Sequence, residues 1–458
     1  MSHTLKIPRL MIAGGNSGAG KTTMMIMLTA AFQRLGMKVA CFKCGPDYLD
    51  PTYHKRQTGS CQNLDGWMMG REAVIRTFTE TAADADIALI EGVMGLYDSA
   101  GPRTATGSSA EIAQWLEAPV LITLDASGIA RTIDALAAGL AHYDRQIHVA
   151  GLLLNRLGSE GHLKLLKEAS QTVAVVGGLP KKTSFKLPER HLGLVAAHDP
   201  NILDSLHAEL DDVVSHWFDM ETILEIARQA PDLVHLDFAS DSTSLQYPNC
   251  KIAYALDDCF HFYYEDNLRR LRSLGVTLIP FSPLTDKAVP DCNGIYFGGG
   301  YPELYAEHLS NNQSMLDSIR RHAKKNKPIY GECGGLMYLS QSIELLDDRR
   351  FPMLGLLPLH IRMQDKLQAL GYTEVEIQQP SIIGRPGLRF RGHQFRYSEA
   401  RLEHDDIQTV YRLKSRRHQS QTEGYQVGNT LASYVHAHWA SNPLVCQAFV
   451  TACQAENL

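Results

Sequence analysis

Residues 15–22 have the residue types and spacing of a phosphate-binding loop, reading Gly-Asn-Ser-Gly-Ala-Gly-Lys-Thr. Glycines let such a loop curl so that its backbone N–H groups point at phosphate oxygens, and the helix that follows adds the positive end of its dipole. Lys21 is expected to reach the outer phosphates, and the Thr22 hydroxyl is expected to ligate Mg²⁺. We therefore predict an ATP site formed by Gly15, Gly18, Gly20, Lys21, Thr22 and Thr23.

Two acidic residues, Asp47 and Glu91, lie where a bound Mg-nucleotide needs carboxylates, at the ends of apolar runs that read as strands, and Asp98 follows nearby. Asp47 follows the run at 38–42, Glu91 ends Ile-Ala-Leu-Ile, and Asp98 closes the segment that Glu91 opens. We predict catalytic roles for all three, and Mg²⁺ ligation by Asp47 and Glu91 together with Thr22. The alternative is that each acid caps a turn, as Asp often does.

A second chemical motif reads Tyr-Gly-Glu-Cys-Gly-Gly at residues 330–335, which places Cys333 between a predicted strand and a predicted helix. Such an elbow exposes a nucleophile, and a helix start is expected to lower the pKa of the thiol. Backbone N–H groups of Gly298 and Gly299 could form an oxyanion hole, and His436 could act as the base. The alternatives are a core cysteine at this position, or a metal site built from His436 and His438.

Composition narrows the class of protein. The 458 residues carry a net charge of −6, which gives no reason to expect a nucleic-acid partner. No run of 18 apolar residues occurs and the start lacks the apolar core of a signal peptide, so we expect no membrane span and a cytoplasmic location. Nine scattered cysteines suit a reducing compartment, with Cys41 and Cys44 read as core thiols.

The elements that must position these residues alternate between strand-like and helix-like segments in both halves of the chain. This alternation predicts parallel sheets with helices on both faces. The pattern breaks near residues 239–244, a small polar stretch that reads as a linker. We predict two α/β domains, 1–240 for ATP-dependent chemistry and 246–458 for the cysteine site.

Together the motifs resemble the cobyrinic and hydrogenobyrinic acid a,c-diamide synthase family over nearly the whole length. The resemblance rests on the phosphate loop, 43–51, 63–65, 91–98, 262–267, 298–304, 332–339 and 432–443. It implies a dethiobiotin-synthetase-like domain followed by a class I glutamine amidotransferase domain. It further implies that ATP activates a carboxylate of a tetrapyrrole polycarboxylate as an acyl phosphate, which ammonia from glutamine then converts to an amide.

The resemblance also implies residue roles, carried over by position. Cys333 resembles the glutaminase nucleophile and His436 the residue that activates it, whereas His438 falls where many class I amidotransferases have a Glu. Tyr48 and Leu49 match a segment near the tetrapyrrole carboxylate, and Asn155 matches the adenine-side segment. Gly298 and Gly299 are expected on the glutamine side.

Departures from the family pattern leave alternatives open. Cys44 and Leu49 stand where Val and Ile are common, so a sirohydrochlorin-type ring is the nearest rival substrate. A nucleotide-switch protein resembling the partitioning ATPases and a cobyric acid synthase are further alternatives. The sequence leaves the ring metal, the order of amidation, an ammonia tunnel and the oligomeric state open.

Overall fold

The chain forms two compact units, Met1–Ser240 and Asp241–Leu458, in a computed structural model. The structure describes residues 2–181, 210, 213–236, 246–402, 407–415 and 420–455. The predicted linker at 239–244 lies outside the described residues. Within the described ranges, no helix is both long and apolar enough to cross a membrane.

The first unit contains a seven-stranded parallel sheet and a separate antiparallel pair. Its strands are β1 Ser2–Leu5, β2 Arg9–Gly14, β3 Val39–Cys44, β4 Cys61–Leu64, β5 Ile87–Glu91, β6 Val120–Asp125, β7 Val149–Leu157, β8 Val175–Pro180 and β9 Leu233–Leu236. The sheet order is β4-β3-β5-β2-β6-β7-β8, and β1 pairs with β9. Every pair in the large sheet is parallel, so the carboxyl ends of its strands share one edge.

Helices alternate with the strands along the first unit, as the sequence pattern predicts. They are α1 Lys21–Arg34, α2 Asp50–Thr58, α3 Gly66–Ala82, α4 Ser109–Trp115, α5 Thr132–Tyr143, α6 Glu160–Ala169 and α7 Met220–Arg228, and residues 213–217 are also helical. Apolar side chains from α1, α7 and the central strands form one buried cluster that includes Phe32, Leu89 and Ile223. This core holds the carboxyl edge of the sheet in place.

In its described residues, the second unit contains a ten-stranded mixed sheet, a four-stranded sheet and a two-stranded pair. Its strands begin with β10 Lys251–Ala255, β11 Phe260–Phe262, β12 Thr277–Phe281, β13 Gly294–Phe297, β14 Gly299–Gly300, β15 Ile329–Glu332, β16 Ser342–Glu344, β17 Arg350–Pro352 and β18 Leu359–Met363. They continue with β19 Ala369–Ile377, β20 Arg389–Arg396, β21 Ser398–Leu402, β22 Gln408–Ser415, β23 Gln421–Val427, β24 Thr430–Ser433 and β25 His436–His438.

In the large sheet the strand order is β12-β10-β13-β15-β24-β23-β22-β19-β20-β25. The five strands from β12 to β24 are parallel, and the remaining pairs are antiparallel. The helices are α8 Glu265–Ser273, α9 Ala306–Asn311, α10 Gln313–Lys324, α11 Gly334–Leu339 and α12 Pro443–Gln454. The carboxyl ends of β13 and β15 are therefore neighbours, which brings the segments after Phe297 and Glu332 together.

Candidate functional site

The phosphate-binding pattern folds as a loop between β2 and α1. Gly15 donates its backbone N–H to the carbonyl of Thr123 at 3.0 Å. Gly20 caps the helix at φ 102°, a left-handed conformation that favours glycine. A Cβ on Gly20 would lie 2.1 Å from Nδ2 of Asn155, and that amide donates to the Ala19 carbonyl at 3.0 Å. The structure thus brings Asn155, predicted on the adenine side, against the loop.

Lys21 folds back across the loop. Its Nζ donates to the carbonyls of Met94 at 2.6 Å and Asn16 at 3.2 Å. Burial, together with the nearby positive charge of Lys43, lowers the pKa of Lys21 to about 8. Among the described residues, the hydrogen-bond acceptors of Lys21 are these two carbonyls, so its amine is suited to bind phosphate oxygens.

Asp98 lies near Lys21, and its carboxylate stabilises the turn at residues 95–98. Its Oδ2 accepts the backbone N–H of Gly95 at 2.7 Å. The negative charge of Asp98 raises the pKa of Lys21, which places the two side chains in one electrostatic environment. The capping alternative and the predicted role at the nucleotide site are therefore compatible for this residue.

Glu91 ends β5 and is fully buried at the centre of the site. Its Oε1 accepts from Thr22 Oγ1 and from Lys43 Nζ, each at 2.7 Å, and its Oε2 lies 2.5 Å from His54 Nε2. Lys43 also contacts Asp50 Oδ2 at 2.7 Å. Burial alone would lower the pKa of Lys43, but the two carboxylates reverse this and raise it above its ordinary value.

Asp47 lies in the turn between β3 and α2. Its Oδ1 accepts the backbone N–H groups of Leu49 at 2.8 Å and Asp50 at 3.2 Å. Asn63 donates to the Asp47 carbonyl at 2.8 Å, and the charge of Asp47 raises the pKa of Lys43. The half-buried Tyr48 and the buried Leu49 belong to the same turn, so the three predicted residues lie together.

Oxygen donors suited to Mg²⁺ meet beside the loop. The Thr22 hydroxyl and the Glu91 carboxylate are within hydrogen-bonding distance, and hard oxygen ligands are those that Mg²⁺ prefers. Asp47 lies near the same lysine but uses one of its carboxylate oxygens to hold its own turn. The donor set at Thr22 and Glu91 therefore fits the ion, which would neutralise phosphate charge when bound with the nucleotide.

Cys333 occupies a strained elbow between β15 and α11. Its backbone has φ 48° and ψ −100°, a positive φ that few non-glycine residues adopt. The Cys333 N–H donates to the Ser433 carbonyl at 2.7 Å, and Sγ lies 3.9 Å from the carbonyl of Phe395. The predicted elbow between strand and helix is therefore present at Cys333, with strain of the kind that clusters at functional sites.

The glycine segment 298–300 lies directly against this elbow. Gly335 donates its N–H to the Gly298 carbonyl at 3.1 Å. A Cβ on Gly299 would lie 2.3 Å from Cε1 of His436, so the imidazole packs on a position that only glycine can occupy. The N–H of Gly298 donates to Tyr263 Oη at 2.8 Å, so this predicted oxyanion-hole donor already has a protein acceptor.

His436 and His438 are both fully buried on β25 but differ in surroundings. Nδ1 of His438 accepts the N–H of Ala440 at 3.4 Å, and its ring centroid is 4.7 Å from that of Tyr264. His436 instead packs on Gly299. The structure thus brings His436 to the glycine segment 298–300, which borders the elbow, and gives His438 a part in the turn that follows.

Burial keeps this second site uncharged. It raises the pKa of Cys333 to about 12, with a contribution from the negative charge of Glu303, and lowers the pKa of His436 to about 3. The prediction that the helix start lowers the thiol pKa is therefore wrong, because desolvation of the thiolate outweighs the one short helix. In the free protein the thiol and the imidazole are both neutral at pH 7.

Both halves of the chain match family models. Residues 10–195 match the CobQ/CobB/MinD/ParA nucleotide binding domain, and residues 251–444 match the CobB/CobQ-like glutamine amidotransferase domain. Proteins named cobyrinate a,c-diamide synthase are similar along almost the whole chain. That of Leptospira interrogans is 49% identical, covering 98% of this chain and 99% of its own, and that of Syntrophotalea carbinolica is 44% identical, covering 99% and 100%.

The chain belongs to the cobyrinate a,c-diamide synthase family. It is therefore a glutamine-hydrolysing carbon–nitrogen ligase of the type used in cobalamin biosynthesis, with a nucleotide-binding P-loop domain ahead of a glutamine amidotransferase domain. The comparison confirms the predicted family, the two α/β domains and the enzyme class. The nucleotide-switch alternative loses its support, because relatives with this name match both domains together.

Several residues that build the two sites were not predicted to have a role. Lys43 and His54 contact Glu91, and Asp50 pairs with Lys43. The signal that could have found them is their closeness in sequence to Asp47, since Lys43 lies in β3 and Asp50 and His54 lie in α2. In the second unit Glu332 is fully buried beside Cys333, where its side chain accepts hydrogen bonds from Tyr296 at 3.1 Å and Tyr330 at 3.0 Å. Nothing in its residue type alone indicated this burial.

Proposed function

We propose that this enzyme amidates the a and c acetate side chains of a corrinoid, cobyrinic or hydrogenobyrinic acid, with ATP and glutamine. Amide synthesis is assigned to residues 1–240 and glutamine hydrolysis to residues 246–458. The observation that carries the proposal is the packing of His436 on Gly299 beside the Cys333 elbow, in a chain that also has a phosphate loop. The names of the similar proteins supply the corrinoid substrate class.

In the first step a substrate carboxylate oxygen attacks the γ-phosphorus of ATP, the bond to the bridging oxygen breaks, and ADP leaves. Lys21 is suited to stabilise the transferring phosphoryl group, because it is cationic and lies over the loop. Thr22, Glu91 and Asp47 would hold Mg²⁺, which supplies charge neutralisation on the phosphates. Tyr48, Leu49 and Asp98 are proposed to line the acceptor side of the same edge.

The acyl phosphate then reacts with ammonia. The ammonia nitrogen attacks the acyl carbon, the carbon–oxygen bond to phosphate breaks, and the amide forms with loss of a proton. This order requires that water stay away from the acyl phosphate, since hydrolysis would waste the ATP.

Ammonia is proposed to come from glutamine at the cysteine site. Sγ of Cys333 attacks the side-chain amide carbon, and the thiol proton passes through His436 to the departing ammonia. Water then cleaves the thioester to give glutamate and the free thiol. A neutral thiol beside a neutral imidazole suits this sequence, because the proton moves only as the sulfur attacks.

The proposal is tested with purified protein, ATP, Mg²⁺ and either glutamine or ammonium chloride. The acceptors are cobyrinic acid, hydrogenobyrinic acid and sirohydrochlorin, with products followed by mass spectrometry. We expect diamides of the first two acids from either nitrogen source. Exclusive conversion of sirohydrochlorin would replace the corrinoid assignment with the rival ring, and inactivity on all three acids would overturn both.

The variant Cys333→Ala separates the two half-reactions. Glutamine-driven amidation should fall by about a thousandfold or more, since the nucleophile is lost. Ammonia-driven amidation should stay within about twofold of the wild type, since the first unit is unchanged. Glutamine-driven turnover that survives this substitution would show that Cys333 is not the nucleophile.

A further inference from the structure

The strand that carries His436 is held from both sides. On one side β25 pairs with β20, and it forms the last strand of the large sheet. On its other side the N–H and C=O of Ala437 bond to buried side chains instead of to a strand. The carbonyl accepts from Asn267 Nδ2 at 2.7 Å, and the N–H donates to Glu332 Oε1 at 3.2 Å.

Glu332 is covalently next to the nucleophile. It is the last residue of β15, so its backbone leads directly into Cys333. Its side chain reaches Ala437, the residue between the two histidines of β25. One residue therefore joins the backbone of the nucleophile to the backbone of the base, through one peptide bond and one hydrogen bond.

We propose that Glu332 is a positioning residue of the glutaminase site, whose carboxyl oxygen fixes where His436 lies relative to Cys333 by accepting the Ala437 N–H. The proposal rests on the proposed glutaminase function of this unit. It goes beyond that function, because Glu332 touches neither substrate nor reacting atoms. In many triads an acid orients the base through the imidazole ring itself, whereas here the acid acts on the backbone beside it.

The surroundings of Glu332 favour a role as a hydrogen-bond acceptor over a role as a charge. Its other polar contacts are the hydroxyls of Tyr330 and Tyr296, and in the described part of the chain it forms no salt bridge. Burial raises the pKa of Glu332 to about 8, so the carboxyl is mostly protonated at pH 7. Its Oε1 accepts from the Ala437 N–H and from the Tyr330 hydroxyl, and its Oε2 accepts from the Tyr296 hydroxyl, so the carboxyl acts as an acceptor in every one of these contacts.

His438 is the other residue that could orient the base, and its contacts do not suit that role. Its Nδ1 accepts the N–H of Ala440, and its ring packs on Tyr264. Its Nε2 has no hydrogen-bond partner among the described residues. These contacts orient the turn after β25 and do not reach the elbow.

The test compares Glu332→Gln with Glu332→Asp in the full-length enzyme. Gln keeps the reach of the side chain and an acceptor oxygen but cannot ionise, whereas Asp keeps the acid and shortens the reach by one methylene. We measure kcat and KM for glutamine hydrolysis, together with ammonia-driven amidation. Glu332→Gln should retain kcat within about threefold, and Glu332→Asp should lose about tenfold or more with little change in KM.

Ammonia-driven amidation should match the wild type in both variants, which separates a positioning effect from general damage. The opposite ranking, with Glu332→Asp active and Glu332→Gln impaired, would show that the negative charge matters and would overturn the proposal. Wild-type kcat in both variants would also overturn it. A loss of ammonia-driven activity in both would also count against it. If the wild type hydrolyses no glutamine, the proposed function fails and not this inference alone.

Discussion

Each of the two units buries a glutamate at the end of a central parallel strand. The two buried carboxyl groups have opposite kinds of partners, charged in the first unit and neutral in the second. Glu91 ends β5 and Glu332 ends β15, and neither side chain is more than 1% exposed. Glu91 lies against the ammonium of Lys43, the hydroxyl of Thr22 and the imidazole of His54. Within the described part of the chain, Glu332 meets only neutral donors, two tyrosine hydroxyls and one backbone N–H.

This difference matches the chemistry proposed for each unit. A site that must receive a polyphosphate and a metal ion gains from fixed charges of both signs that are already oriented. A site where a thiol and an imidazole exchange one proton works with groups that start neutral, and there burial shifts the pKa values of Glu332, Cys333 and His436 toward the neutral forms. The first unit thus has a charged centre at Glu91, and the second unit has an uncharged centre at Glu332.

Removing the cation from the charged centre should have the largest effect. Lys43→Met leaves Glu91 and Asp50 buried without their shared ammonium, so the first unit should lose about 3–5 kcal/mol of unfolding free energy. Urea denaturation followed by tryptophan fluorescence measures this. The matched control is Lys38→Met, at an exposed position just before the same strand, which should change stability by less than about 0.5 kcal/mol. Equal effects for the two variants would contradict the comparison.

Adding a methyl group next to His436 in the second unit should have the next largest effect. Gly299→Ala adds a Cβ at 2.3 Å from Cε1 of His436, and the imidazole must move away. Glutamine hydrolysis should slow by about tenfold to a hundredfold, because overpacking of this size costs about 1–3 kcal/mol and here that cost falls on the position of the imidazole. Gly139→Ala is the control, because a Cβ there meets nothing within 4 Å. Unchanged kcat in Gly299→Ala would place the catalytic imidazole elsewhere.

The charged centre should also respond to pH through Lys21. Its pKa is lowered to about 8, so the amine is charged below that pH and loses its proton as the pH rises through it. ATP affinity should therefore fall above pH 8, by up to about tenfold per pH unit. Calorimetric titration between pH 7 and 9 measures this, and Lys21→Arg should flatten the profile because Arg stays charged. A wild-type affinity that is constant over this range would contradict the prediction.

Features formed by residues that are close together in the chain could be predicted from the sequence. The phosphate loop, the elbow at Cys333 and the alternation of strands and helices all depend on residues close together in the chain, and each is present in the structure. Contacts between distant residues were harder to predict. The hydrogen bond from Asn155 to Ala19 spans 136 positions and the bond from Ala437 to Glu332 spans 105, and both depend on which strands become neighbours.

The direction of the thiol pKa was missed for a related physical reason. A helix start and flanking glycines are visible in sequence, but the depth of burial around Cys333 is set by the packed second unit. Lys43 illustrates the same limit in the first unit. The sequence analysis gave Lys43 no role of its own, because the parallel pairing of β3 with β5 is what puts it beside Glu91.

The smallest effect should come from removing one neutral donor from Glu332. Tyr296→Phe keeps the ring stacked 5.4 Å from Trp439 and deletes only the hydroxyl that donates to Oε2. The second unit should lose about 1 kcal/mol, measured by urea denaturation, because a single neutral hydrogen bond contributes about that much. Glutamine hydrolysis should keep its kcat within about twofold, since the Ala437 N–H uses the other oxygen, Oε1. A stability loss as large as that expected for Lys43→Met would mean that Glu332 is held as an ion, and the contrast between the two buried glutamates would then disappear.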